Sequence, residues 1–457
     1  MKKILWVCNV PIPRIANDLH IQAPNICGWL TGFANSLEGY EDIELSICFP
    51  LLGIKEMIIG KVGNIQYYAF SQPKVFNLLP VEDQIHSSKY MKNHIEKILN
   101  VVRPDILHVF GTEYPHALVA VKAFNQPDKT VVNIQGLTSY YWMHFNTGIP
   151  YNALKKFALS NFARGNMIIQ AKKLQKRGKF ESEILKNASH VIGRTDWDEA
   201  CTTQSNPKVK YHFCNETLRD SFYTRSWKYE YCEKYSIFMS QAATPIKGLH
   251  FMLRALPTII RVYPETHLYI AGNDLTRTDT LYAKLKISSY ALYIKSLIKK
   301  NNLQNKVTFT GSLNEQKMKK KFLECNVFVS PSTIENSPNS IGEAMILGVP
   351  CISSDVGGVK NLLEHNKEGF IYQADAPYML GFYVKKMFSD PQTAQQLGGN
   401  AQMHAHVTHS RENNLKTLLK IYGEMIDAGA VVKGEIPGNT LMYLKTEIKI
   451  RNVGGKL

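Results

Sequence analysis

Short apolar runs alternate with stretches of helical periodicity over most of the chain. Runs at 4–8, 45–49, 106–110, 131–134 and 190–193 read as strands, and a second series follows at 236–239, 267–271, 307–310, 327–330, 351–353 and 370–372. Most are apolar throughout rather than alternating, as expected for parallel strands covered on both faces. Residues 86–101 and 249–262 carry helical patterns between them, which predicts α/β architecture with right-handed crossovers. A less regular passage at 214–235 separates the two series. The chain therefore divides into an N-terminal domain at 1–215 and a C-terminal domain at 216–405. A helix at 406–428 follows, with Leu415, Leu418, Leu419, Tyr422 and Met425 on one apolar face. Residues 429–457 are weakly patterned and read as a tail.

Composition narrows the function classes. The 457 residues are 44% apolar, which excludes wholesale disorder. No run approaches the roughly 20 apolar residues of a membrane span, and the first apolar run is too short for a signal peptide. Eight cysteines are scattered without any C-x-x-C pair, which suits a reducing, cytoplasmic setting with no zinc site and no disulfide framework. The net charge of +16 points to an anionic partner: nucleotides, acidic lipids or nucleic acid. Nucleic acid is disfavoured because no RNP, KH or helix-turn-helix pattern is present.

The most informative segment is 330–355, which leaves a strand and opens a helix. Glu335 lies in its Asn/Ser/Pro loop and Glu343 in the first helical turn. Backbone amides over 336–340 and the helix N-terminus suit phosphate oxygens, while flanking carboxylates accept from sugar hydroxyls. That combination fits a sugar nucleotide. Ser340-x-x-Glu343 is also a capping box, so for Glu343 a purely structural role stays equally open. In the first domain, His108, Glu113 and His116 lie in and just after the 106–110 strand. They suit either orientation of an acceptor hydroxyl or satisfied polar contacts at a domain interface.

Glu335 and Glu343 enclose seven residues, with Gly348-Val349-Pro350 and Gly357-Gly358 following. This arrangement resembles the E-x7-E motif of family 4 of the glycosyltransferases, retaining enzymes of GT-B fold. Gly111-Thr112-Glu113-Tyr114-Pro115-His116, Ile134-Gln135-Gly136-Leu137, Gly193-Arg194-Thr195-Asp196-Trp197-Asp198 and Pro245-Ile246-Lys247-Gly248 are similar to a bacterial polysaccharide branch of that family. The resemblance implies two Rossmann-like domains facing across a cleft, with the C-terminal helix crossing back. It implies sugar transfer from a nucleoside diphosphate to an acceptor hydroxyl, with no cofactor beyond that donor and no metal. Asp196-Trp197-Asp198 superficially matches a metal-binding D-x-D, but in this setting the relatives bind no metal there.

Carried over residue by residue, Glu335 contacts the transferred sugar, Glu343 the ribose, and Lys247 the leaving phosphates. Asn336, Asn339 and Ser340 fall within the donor loop. Relatives often carry an arginine shortly before the lysine, where this chain has Gln241 and Ala242. Many also carry a histidine after the 131–134 strand, where Gln135 stands here. Glutamine cannot carry a proton at neutral pH. A sugar-nucleotide epimerase, which shares this fold and donor site, is a second reading, and these departures keep open a third, a catalytically silent partner that binds nucleotide sugars. The expected partners are a nucleotide-sugar donor and a saccharide or lipid-linked saccharide acceptor. From 152 to 180 eight Lys/Arg occur without an acidic residue, and Leu154, Phe157, Ala158 and Phe162 lie beside the first cations. This stretch is expected to form a basic amphipathic helix, either resting on an anionic membrane surface or packing on its own domain.

Overall fold

The computed structural model describes residues 1–23, 28–72, 88–158, 160–161 and 165–431. Phe162, Arg164 and the 432–457 part of the expected tail lie outside the described residues. Two sheets form the frame. The first contains β1 (Lys2–Val7), β2 (Ile43–Leu52), β3 (Ile58–Val62), β4 (Ile65–Gln72), β5 (Ile106–Phe110), β6 (Thr130–Asn133), β7 (His190–Gly193) and β8 (Lys210–Phe213). Their order is β3-β4-β2-β1-β5-β6-β7-β8, parallel except for the antiparallel β3–β4 hairpin. The second contains β9 (Glu233–Met239), β10 (His267–Ile270), β11 (Val307–Phe309), β12 (Cys325–Ser330), β13 (Cys351–Asp355) and β14 (Gly369–Gln373). Its order is β11-β10-β9-β12-β13-β14, parallel throughout.

Both sheets reverse their winding direction once. In the first, the chain leaves β1 for β2 on one side and later places β5 on the other. In the second, β10 and β12 flank β9. Loops diverge at such switch points and leave a crevice beyond the carboxyl ends of the strands. The two crevices are bounded by the loops after β1 and β5 and by those after β9 and β12.

Eight helices matter below: α1 (Thr138–His144), α2 (Tyr151–Leu154), α3 (Met167–Lys186), α4 (Leu249–Ile260), α5 (Ser289–Lys300), α6 (Asn339–Ile346), α7 (Pro391–Thr408) and α8 (Arg411–Val431). From α8, Leu415, Leu418, Ile421, Tyr422 and Met425 enter the first domain's core beside Trp6 and Ile47. This is the predicted apolar face, with Ile421 added and Leu419 only half-buried. The helix thus returns from the second domain to close the first. Phe145, Ile149, Ala153, Met167 and Ala171 pack in the opposite direction, into the second domain's core with α4 and α5.

The stretch at 152–180 does not form one amphipathic helix. The helix α2 stops at Leu154, and α3 starts only after Gly165, at φ +78°, and Asn166, whose side chain caps the amide of Ile169. Left-handed backbone at Gly165 and an Asx cap break helical continuity at that point. Ala158 is buried while Phe157 is exposed. Among the described residues no helix is long and apolar enough to cross a membrane.

Candidate active site

The β9 loop turns through Thr244–Lys247 and reaches Gly248, at φ +69°, the residue before α4. A Cβ on Gly248 would lie 1.7 Å from the carbonyl oxygen of Pro331 in the β12 loop. Only glycine fits there, so the two loops touch backbone to backbone. The amide of Thr333 donates to the Ile246 carbonyl at 2.7 Å and completes the seam. Across it, the Lys247 ammonium lies 2.6 Å from Glu335 Oε1, which also accepts from Ser332 Oγ at 2.7 Å. Glu335 is 7% exposed. Its backbone is held by Gly357 and Gly358: the Gly358 amide donates to the Glu335 carbonyl, and a Cβ at Gly357 would lie 1.9 Å from that oxygen. The glycine pair noted in the sequence is therefore a close-approach device.

Glu343 sits in the first turns of α6, but the expected capping box with Ser340 does not form. Pro338 stands at the N-cap, Asn339 is the first helical residue, and no side chain caps the helix. With the helix opening at 339, Ser340 is already inside it and cannot occupy the extended backbone that a cap requires. Glu343 instead pairs with Arg219 from the interdomain linker, at 2.6–2.8 Å. Burial raises its carboxyl above the ordinary range, and Arg219 partly counteracts this. Asn336 is buried; its Oδ1 accepts from Thr195 of the first domain at 2.8 Å, and its Nδ2 has no partner. Gln241 lies between a crevice at Lys247 and Glu335 and a cavity of about 230 Å³ walled by Ala271–Asn273, Phe309 and Leu313.

Across the cleft, the loops after β1 and β5 bound a cavity of about 590 Å³. Glu113, His116 and Gln135 line it, facing an apolar wall that includes Val10, Ile21, Leu30 and Leu51. Glu113 Oε2 and His116 Nε2 are buried without a partner. Burial pushes the Glu113 carboxyl up to about 7 against the pull of nearby backbone amides, and Glu181 adds repulsion. Burial lowers His116 to about 4, so its imidazole is neutral. The carboxyl group folds back over Gly111 at φ +89°, where a Cβ would lie 2.4 Å from Glu113 Oε2.

His108, expected at the rim, does not join this group. Its Nδ1 lies 2.6 Å from Tyr422 Oη, and its ring stacks on Phe110 in the first domain's core. Trp6 Nε1 donates to the same hydroxyl at 3.0 Å. Two residues before the end of β5, the side chain is too deep to reach the cleft, and burial lowers it to about 3. Asp198 is likewise used locally: it caps the helix Asp196–Ser205 in a capping box with Thr195 and accepts from the Tyr211 hydroxyl at 2.5 Å.

Three functional candidates escaped the sequence reading. Arg219 is one. Tyr141, on α1, is buried, and its hydroxyl is raised by burial and by the neighbouring carboxylates Glu335 and Glu113. Its hydroxyl thus feels one carboxylate from each domain. Glu216 is the third, buried in the linker with Arg194 at 2.5 Å, Gln135 Nε2 at 2.6 Å and Asn339 Nδ2 at 3.2 Å. It draws Gln135 and Asn339, one from each domain, onto a single carboxylate. The hints were an aromatic run at 140–142 and two of the several charged residues in the linker, neither with a diagnostic spacing.

Residues 227–404 match the model of the family described as glycosyl transferases group 1. The match lies within the second domain. An uncharacterized glycosyltransferase of Methanocaldococcus jannaschii is 26% identical over 42% of this chain and 45% of its own. The chain spans about half the length of the curated relatives it matches. Among solved structures, sucrose-phosphate synthase from Thermosynechococcus elongatus superposes with a TM-score of 0.68 at 15% identity, covering 94% of this chain and all of that one. HepE of Anabaena, solved with UDP and glucose, gives 0.63 at 15% identity over 93% of this chain and all of its own. At that identity the likeness concerns the fold, which is GT-B. The α/β architecture and the two parallel-sheet domains expected from the sequence hold, and the family match over 227–404 agrees with the motifs.

Proposed function

We propose that the protein transfers a sugar from a nucleoside-diphosphate sugar to an acceptor hydroxyl with retention of configuration, in bacterial cell-surface polysaccharide or glycolipid synthesis. The observation that carries this reading is the Lys247–Glu335 pair at the second switch point, with a cavity lined by Glu113, His116 and Gln135 in the opposite domain. The neighbours solved with UDP and with UDP-glucose favour a uridine nucleotide as the donor.

Breaking the glycosidic bond builds negative charge on the diphosphate and positive charge on the sugar ring. Lys247 leaves Glu335 for the phosphate oxygens, and the amides over 336–340 add fixed donors where charge develops. Asn336, Asn339 and Ser340 shape that cradle, and Gln241 stands where the nucleotide enters. Released from the ammonium, Glu335 faces the cationic ring. Glu343, aligned by Arg219, accepts from ribose hydroxyls. The acceptor oxygen bonds to the anomeric carbon as the bond to phosphate breaks, and its proton passes to the departing phosphate oxygen on the same face. No protein base is needed, which fits glutamine at 135. Glu113 and His116 hold the acceptor hydroxyls, with Gln135 at the boundary. No metal takes part. The protein works in the cytoplasm, peripherally on the inner membrane face where the acceptor is lipid-linked.

A panel of UDP- and GDP-sugars tests the donor assignment. The cognate compound raises the unfolding temperature in proportion to log concentration over affinity. Mass analysis then yields a glycosylated acceptor only when acceptor is supplied. A new nucleotide sugar formed without acceptor would indicate epimerisation, and binding without any product would indicate a silent partner.

A further inference from the structure

A further cavity lies where the chain around α2 meets α4 and α5, with a volume of about 660 Å³. Its wall carries Lys156 from the first domain and Arg254 and Lys300 from the second, and no carboxylate. Among the described residues none of these three cations is in an ion pair. Arg14, Arg194, Arg219, Arg277 and Arg411 each meet an acidic partner. The Arg254 guanidinium is nonetheless held firmly. Its Nη2 donates to the Gly148 carbonyl at 2.6 Å and to the Tyr293 hydroxyl at 2.5 Å. That leaves Nε and Nη1 without a hydrogen bond among the described residues.

Three like charges around one concavity repel each other and concentrate positive potential in it. A planar guanidinium fixed through one nitrogen presents the remaining edge as a fork that matches phosphate oxygens, and flanking ammonium groups add mobile point charges. Lys300 also sits in the last turn of α5, where it complements the helix dipole, but Lys156 and Arg254 have no such duty. The cavity is distinct from the crevice at Lys247 and Glu335 and from the one at Glu113, with which it shares no lining residue.

We propose that this cavity is a separate anion site for a ligand carrying two or more phosphate groups, and that its occupant ties the two domains together. Lys156 reaches it from the α2 segment of the first domain, which packs into the second domain's core, while Arg254 and Lys300 come from α4 and α5, so the ligand adds contacts across that packed seam. The same phosphate chemistry is offered by a soluble phosphorylated compound and by a lipid headgroup. Exposed Tyr151 and Phe157 near Lys156 give the lipid source its physical basis.

The test uses inorganic tripolyphosphate as probe and calorimetric titration at fixed ionic strength. It is done in a Lys247→Ala background so that the donor pocket lacks its cation. The proposal predicts saturable binding that weakens at least about tenfold when Lys156→Gln, Arg254→Gln and Lys300→Gln are added, as expected for losing charge-assisted contacts. Since Arg254→Gln also removes the contacts to Gly148 and Tyr293, Lys156→Gln/Lys300→Gln is measured separately. It is expected to keep the parent's unfolding temperature and still bind several-fold more weakly. Affinity unchanged by the paired lysine variant, or no binding to the Lys247→Ala protein at all, overturns the proposal. Sedimentation with phosphatidylcholine vesicles containing phosphatidic acid then distinguishes the sources. Pelleting that depends on Lys156 and Lys300 assigns a lipid headgroup, and probe binding without pelleting assigns a soluble ligand.

Discussion

Glu113 carries its titration in a cavity rather than in a salt bridge. Its folded value of about 7 lies above the ordinary carboxylate value of 4.5, so the folded protein holds a proton that the unfolded chain releases between those limits. The associated stability is complete below pH 4.5 and is lost as pH rises through 7, a difference of about 3 kcal/mol. Glu113→Gln, which cannot ionise, is therefore expected to unfold at a higher denaturant concentration than the parent at pH 8 and at a similar one at pH 5. Chemical denaturation at the two pH values checks this. The pairing of Glu335 with Lys247 joins two loops that the sequence singled out by their motifs. Tyr141 and Arg219 were not singled out, since each meets its carboxylate only after two distant segments fold together. His108 shows the converse. Polar residues clustered in sequence suggested a rim, yet depth along β5 sent this one to Tyr422 in the core.

At the scale of elements, the site depends on glycines that let loops touch. Replacing Gly248 with alanine forces a Cβ into the Pro331 carbonyl and into left-handed backbone, and is expected to cost at least about 2 kcal/mol. It should also slow turnover, because the same loop carries Lys247. Thermal unfolding and steady-state rates measured together check both effects. Most strands were readable as continuous apolar runs. The three that were not, β3, β4 and β8, lie at the two edges of the first sheet. The turn between β3 and β4 rests on Gly63 at φ +59°, a compact cue beside long helical patterns, and β8 is a polar Lys-Tyr-His-Phe edge. The misread cap has an equally local cause, since Pro338 shifts the helix start one residue ahead of Ser340.

At the scale of the whole molecule, the domains are joined by two chain crossings that meet at Glu216. Its carbonyl accepts from His409 Nδ1 at 2.7 Å, just before α8 begins, while its carboxylate holds Arg194, Gln135 and Asn339. Removing that charge leaves Arg194 buried and unpaired, so Glu216→Ala is expected to lose about 3–5 kcal/mol. The loss should appear in the first domain and the interdomain seam together, as a single lowered transition in calorimetry. The two-domain frame was visible in the sequence because each sheet has its own apolar series. The seam was not, because it is made of single polar residues that no periodicity marks.

On the proposed mechanism, Lys247 and Glu335 manage the charge of a breaking glycosidic bond. The most direct measurement is the rate of sugar transfer by Lys247→Ala and Glu335→Ala with the donor that the parent protein uses, alongside their unfolding temperatures. Each variant is expected to stay folded and to lose at least about a hundredfold in turnover, the scale of removing one preorganised stabilising group. Folded variants that transfer sugar at the parent's rate would contradict it.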